Sequence, residues 1–286
     1  MTATFAALAC AIVVVPLRWP ARYSQWPPLW ALLFLVASTL GVVQGVLQWP
    51  GVLALLLLAA LLYQAARHNE RPFTVYHALA AVLTFALGAH RVPGFHNPIL
   101  FNAIRITPDA AAYTFYLNFD KASAGLLLYA SLAHRATSRS DLRAVARAVL
   151  VATPVVCLVL AVVGTCIGWF RFEPKFPPFT PAWMLGNLLF VAVAEDCFCR
   201  AFIQEPLHQS LRARSGAFWL PTLVAAIFFG AIHFAGGWQY VLLASIGGAA
   251  NAWSYARSRC VEAGVLVHFL TNSAHFLLFT YPFLQH

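Results

Sequence analysis

The sequence predicts an all-α fold, a polytopic transmembrane helix bundle of about eight to ten spans. Three observations predict it. Of the 286 residues, 61% are apolar and only 9% charged, so most of the exterior has to face something other than water. Apolar runs recur along the whole length, and those at 148–169 and 217–234 meet the roughly 20 residues needed to cross a hydrocarbon core. Arginines also gather at alternate ends of those runs, so the net charge of +9 reads as an insertion signal and not as a nucleic-acid surface.

Polar, Pro and Gly punctuation places the spans at 3–17, 28–48, 51–66, 74–90, 122–134, 145–170, 180–205, 216–235, 238–256 and 261–283. The first run resembles a secretory signal in length. No Lys or Arg precedes it, however, and Arg18 and Arg22 follow it, so it is expected to be a retained span. The segment 91–121, with Pro93, Pro98, Pro108 and Asp109, reads as an extramembrane loop with an interfacial helix over 98–105. Pro206 is expected to end the seventh span, Pro221 to start the regular part of the eighth, and Cys260 to open the last.

With the N terminus outside, Arg18, Arg22, Arg67, Arg71, Arg135, Arg139, Arg143, Arg147, Arg200, Arg212, Arg214, Arg257 and Arg259 fall on the cytoplasmic side. Arg91, Arg105, Lys121, Arg171 and Lys175 fall opposite, as the positive-inside rule requires. Trp19, Trp26, Trp30, Trp49, Trp169, Trp183 and Trp238 lie close to expected span ends, as interfacial belts do. The six cysteines lack metal-site or disulfide-scaffold spacing and read as small apolar fillers. There is no internal repeat and no low-complexity tract.

An ionisable group in hydrocarbon costs several kcal/mol, so an acid inside a span needs a reason. Of the nine acids, Glu70, Asp109, Asp120, Asp141, Glu173, Glu205 and Glu262 fall in loops or at span ends. Glu195 and Asp196 remain, inside an apolar helix where Asn187 is the polar side chain preceding them. Asp196 and Arg200 are i,i+4 neighbours, while Glu195 points about 100° away and is left free to act. The plainest reading is a structural ion network of Glu195, Asp196 and Arg200 at the membrane boundary. Against it stand Phe229-Gly-Ala-Ile-His233 on the next span and His268-Phe-Leu-Thr-Asn272 on the last, where His and Asn share one helical face. Counted from the cytoplasmic helix ends at 1.5 Å per residue, Glu195 lies about 16 Å deep, His233 about 18 Å and His268 about 12 Å. The three are thus able to meet near the midplane.

Glu195-Asp196-x-x-x-Arg200, Phe229-x-x-x-His233 and His268-x-x-x-Asn272 resemble the three motifs of the CAAX-protease and bacteriocin-processing (CPBP, or Abi) family of glutamic intramembrane endopeptidases. That family carries E-E-x-x-x-R, F-x-x-x-H and H-x-x-x-N/D in this order, and Asp196 stands where its second glutamate is usual. The resemblance spans about 80 residues of the chain. It implies a protease core at 144–286 and leaves 1–143 as N-terminal transmembrane helices of unassigned role. It further implies that Glu195 activates water, His233 orients it, His268 and Asn272 stabilise an oxyanion, and Asp196 and Arg200 hold the first helix in register. The expected enzyme needs no cofactor and no metal. Its partners are a membrane-associated protein or peptide substrate and the lipid bilayer, and its expected place is a prokaryotic cell (inner) membrane, as a multi-pass protein.

Other readings stay open at this point. Glu195, His233 and His268 have the ligand types of an open catalytic zinc centre, although no H-E-x-x-H is present. A transporter with a proton relay expects repeats that the first half lacks, and a non-catalytic partner-binding protein is the third possibility. Gly247-Gly248 suits close helix packing, or passage of a peptide, better than ion coordination. His275, Cys197 and Cys199 are read as packing residues outside the active set.

Overall fold

The architecture is taken from a computed structural model that describes residues 3–17, 27–68 and 73–285. Arg18, Trp19, Arg22, Trp26, Glu70 and Arg71 lie outside the described residues. Ten helices run along the described chain: α1 Ala3–Val14, α2 Leu29–Val43, α3 Trp49–Arg67, α4 Val75–Gly88, α5 Phe119–Ser131, α6 Arg139–Cys166, α7 Thr180–Leu211, α8 Trp219–Ala231, α9 Trp238–Ser258 and α10 Val261–Leu278. Each falls on one of the apolar runs. Helices α3, α6, α7 and α10 are long and apolar enough to cross a membrane. Leu35, Leu53, Val82, Leu150 and Leu158 are exposed along α2, α3, α4 and α6, which a bilayer tolerates and water does not. The protein is an all-α membrane helix bundle.

Two expectations about local structure are corrected. The segment around 98–105 is not a helix but β1 (Ile99–Ile104), paired antiparallel with β2 (Tyr113–Tyr116) in a two-stranded hairpin. The Tyr-Thr-Phe-Tyr run supplies aromatic and β-branched side chains suited to a strand, and pairing between distant segments overrides the local pattern. Pro206 does not end the seventh helix. The turn before it, Arg200–Gln204, is π-helical, so the hydrogen-bond register has already shifted where the proline lacks its N–H, and the helix continues to Leu211. Helix α6 also begins earlier than its apolar run, at a capping box formed by Ser138 and Asp141.

Loops at one end of the bundle are tied together by backbone pairing. Leu47 bridges Phe95, Ala110 bridges Leu284 and Phe172 bridges Phe279. An Arg171–Asp109 ion pair and a bond from the indole of Trp183 to the Tyr113 hydroxyl (3.0 Å) reinforce this cap, and burial pushes the Tyr113 phenol up to about 12. At the opposite end Val261 N–H donates to His134 O, and Ala136 N–H to Glu262 Oε2.

The largest buried cluster runs from Phe5 to Val265 and joins α1, α3, α5 and α7. Helix α5 meets α7 at Gly125, where an added Cβ would lie 2.6 Å from the Ala194 Cα, so the two backbones touch. Gly125→Ala is therefore expected to cost about 1–3 kcal/mol through overpacking, because the obstacle is backbone and cannot rotate away. Thermal unfolding in detergent checks this, and an unchanged midpoint would show that α5 and α7 are not in contact.

Candidate active site

Helix α7 carries the acids on a short α-helical stretch, Val193–Cys199, between two π-helical ones, Asn187–Ala192 and Arg200–Gln204. Each π turn rotates the residues after it relative to an ordinary helix, a device frequent at functional sites. Asp196 accepts from Arg200 at 3.2 Å, the expected i,i+4 pair, with both side chains essentially inaccessible to solvent. Arg200 also donates to Gln204, whose amide in turn reaches the Ala252 carbonyl at 2.8 Å. This side of the pair is structural and locks α7 to α9.

The other oxygen of Asp196 reaches a histidine on α10. His268 Nδ1 lies 2.8 Å from Asp196 Oδ2, and because a carboxylate can only accept, the ring proton sits on Nδ1. Gly264, one turn earlier, makes room: a Cβ there would come within 3.0 Å of Asp196 Oδ1. His233 is fixed by the same logic. It sits in the turn just past α8, and its Nδ1 donates to the Phe229 carbonyl at 2.6 Å. Phe229 itself packs against both rings, edge-on to His268, while Tyr240 packs edge-on against His233.

With both Nδ1 atoms occupied, both Nε2 atoms turn to Glu195. His233 Nε2 and His268 Nε2 each lie 3.9 Å from the same oxygen, Oε2. That is too long for a direct hydrogen bond and suited to a bridging water or a polar group of a substrate. The second oxygen, Oε1, is held by Lys121 Nζ at 2.5 Å. Glu195, His233 and Lys121 line one cavity of about 260 Å³, walled by Thr84, Phe85 and Gly88 of α4, by Ala89 just past its end and by Phe198.

The structure thus brings Glu195, His233, His268, Asp196 and Arg200 together. The meeting point lies midway along α7 and α10 but at the ends of α5 and α8, since α8 has only 13 residues and spans about 20 Å. Asn272 stands one turn beyond His268, and its amide donates to Asn187 Oδ1 at 3.4 Å. Among the described residues no hydrogen bond joins it to Glu195, His233 or His268. His275 packs between Phe170 and Tyr281, and Cys197 and Cys199 are buried. Among the described residues no group of three or more His, Cys, Asp and Glu side chains is placed to hold a metal ion. Sequence reasoning missed Lys121 and Tyr240. Lys121 precedes a short apolar run and carries the local signature of an interfacial charge, so nothing in its own surroundings pointed to Glu195, which is 74 residues away.

Residues 177–274 match the family model described as type II CAAX prenyl endopeptidase Rce1-like. The matched stretch contains all three motifs, from Glu195 to Asn272. No curated protein and no solved structure matches the chain.

Arg200→Ala is expected to lower the yield of folded protein, because losing one partner of a buried pair costs about 3–5 kcal/mol. The double replacement Asp196→Asn/Arg200→Gln removes both charges and is expected to recover part of that yield. Equal yields of single and double variants, measured by size-exclusion chromatography after extraction, would show that the two side chains do not pair.

Proposed function

We propose that this protein, whose residues 177–274 are Rce1-like, is a glutamate-dependent intramembrane endopeptidase that cuts near the C terminus or the leader of a membrane-associated protein or peptide. The observation that carries this reading is the convergence of His233 Nε2 and His268 Nε2 on Glu195 Oε2 at equal distances of 3.9 Å. The proposal divides the chain into a protease core at 144–286, which holds the motif residues, and N-terminal helices at 1–143.

In the proposed reaction a water held between Glu195 Oε2 and the histidines attacks the scissile carbonyl carbon. Glu195 takes the proton as the new C–O bond forms. His233, with Nδ1–H on the Phe229 carbonyl, presents Nε2 as an acceptor that orients this water. His268, when protonated on both nitrogens, keeps Nδ1–H on Asp196 and offers Nε2–H to the developing oxyanion. Asn272 on the same face of α10 adds a second donor by leaving Asn187. Collapse of the tetrahedral adduct breaks the C–N bond, and the proton on Glu195 passes to the departing nitrogen. The products are a carboxylic acid and an amine, which exchange the remaining proton and leave as carboxylate and ammonium, and the glutamate is regenerated.

Glu195→Gln is expected to abolish cleavage of peptides presented in membranes while the protein still inserts, since the change keeps size and an oxygen for Lys121 to donate to and removes the base. Cleavage retained within about tenfold of wild type would sink the mechanism.

Asn272→Ala is expected to lower kcat by about 10²–10³ with little change in KM, because an oxyanion donor acts only as charge develops. A zinc centre on Glu195, His233 and His268 makes the opposite forecast. It would give stoichiometric metal by elemental analysis, loss of metal and activity together on chelation, and an Asn272→Ala variant that keeps both.

A further inference from the structure

Lys121 belongs to the N-terminal half, far in sequence from the three motifs, yet its ammonium makes the shortest contact that Glu195 has, 2.5 Å to Oε1. The two side chains are only 17% and 15% exposed, so each charge depends on the other for solvation it has lost to burial. The partition of the carboxylate is informative. Lys121 takes Oε1, which leaves Oε2 as the oxygen that faces the histidines.

Three features fix the lysine in that position. Lys121 and Gly125 are i,i+4 on one face of α5, and Gly125 is where α5 closes onto Ala194, the residue before Glu195. The start of α5 is pinned by Asp120, buried, which accepts from His90 Nδ1 at 2.8 Å and Asn97 Nδ2 at 3.0 Å. Asn97 Oδ1 in turn accepts from Phe119 N–H at 2.8 Å. The contact is therefore built from both sides of the lysine and does not rest on a free side chain meeting a charge by chance.

We infer that Lys121 is a positioning residue for Glu195: it anchors Oε1 so that Oε2 stays turned to His233 and His268, which makes the N-terminal helices part of the active unit. This rests on the protease reading above. It adds that residues outside the Rce1-like segment are needed for the chemistry, not merely for insertion.

The test compares Lys121→Met, Lys121→Arg and Glu195→Gln with wild type in reconstituted membranes, on a peptide with a lipidated C-terminal tail. Lys121→Met is expected to lower kcat about 10–100-fold with KM within about twofold, and Lys121→Arg to restore part of kcat, because a misplaced base slows the chemical step without altering substrate binding. Wild-type kcat in Lys121→Met overturns the inference, and so does a raised KM with kcat intact, which would make Lys121 a substrate contact. If wild type is active and Glu195→Gln is equally active, the protease mechanism fails and not the lysine's role alone. A second measurement needs no substrate. In thermal unfolding of Lys121→Met, Glu195→Gln and the double variant, pairing predicts that the double variant melts higher than the additive expectation from the two single ones. Strictly additive shifts overturn the pairing, and with it the inference, whatever the peptide assay shows.

Discussion

The interior of this bundle is organised by the cost of keeping charge out of water. Asp196 and Arg200 are both essentially inaccessible, and either alone would be prohibitive in a hydrocarbon-like interior. Each is therefore supplied with partners on two of its atoms, although the buried Arg200 Nε has no hydrogen-bond partner among the described residues. Arg200 reaches Asp196 and Gln204, Gln204 continues to the Ala252 carbonyl, and the second oxygen of Asp196 takes the His268 proton. The pair thereby ties α7 to α9 and α10, and the ring that it orients is one of the two facing Glu195. Structural satisfaction and site geometry are the same set of bonds. Asp196 and Arg200 form the ion network, while Glu195 lines the cavity beside it.

Small residues allow these bonds to exist. Gly125 lets α5 touch the backbone beside Glu195, Gly264 lets α10 reach Asp196, and Gly248 faces Phe229, where an added Cβ would lie 2.8 Å from the Phe229 Cβ. In a membrane, where lipid tails are as apolar as leucine, close backbone approach supplies the packing energy that the hydrophobic effect does not. The π-helical turns on either side of the acids complete the arrangement, by setting the rotational phase of Asn187 and Gln204 relative to Glu195 and Asp196.

The end that carries the hairpin closes over the bundle through backbone bridges among loops that are remote in sequence. These pairings satisfy peptide groups that neither helices nor lipid would satisfy. The same end holds His90, Asn97 and Asp120, whose bonds set the start of α5 and hence the position of Lys121.

The sequence by itself determined the class of protein, its ten apolar segments and which acids and histidines lie inside them, because those depend on local quantities. Composition and run length decide what must avoid water, and acids or histidines inside such runs stand out against their neighbours. Even the Asp196–Arg200 pair was legible, since i,i+4 spacing is a property of one helix. Only the tertiary structure decided what joins different segments. It paired 99–104 with 113–116 as strands, because strand pairing is settled by a partner and not by the segment's own pattern. It carried α7 past Pro206 through a π turn that no propensity announces. It turned Asp196 towards His268 and Asn272 towards Asn187. And it set Lys121 on Glu195, since an ion pair across 74 residues leaves no periodicity in the chain and is fixed by how closely α5 and α7 pack.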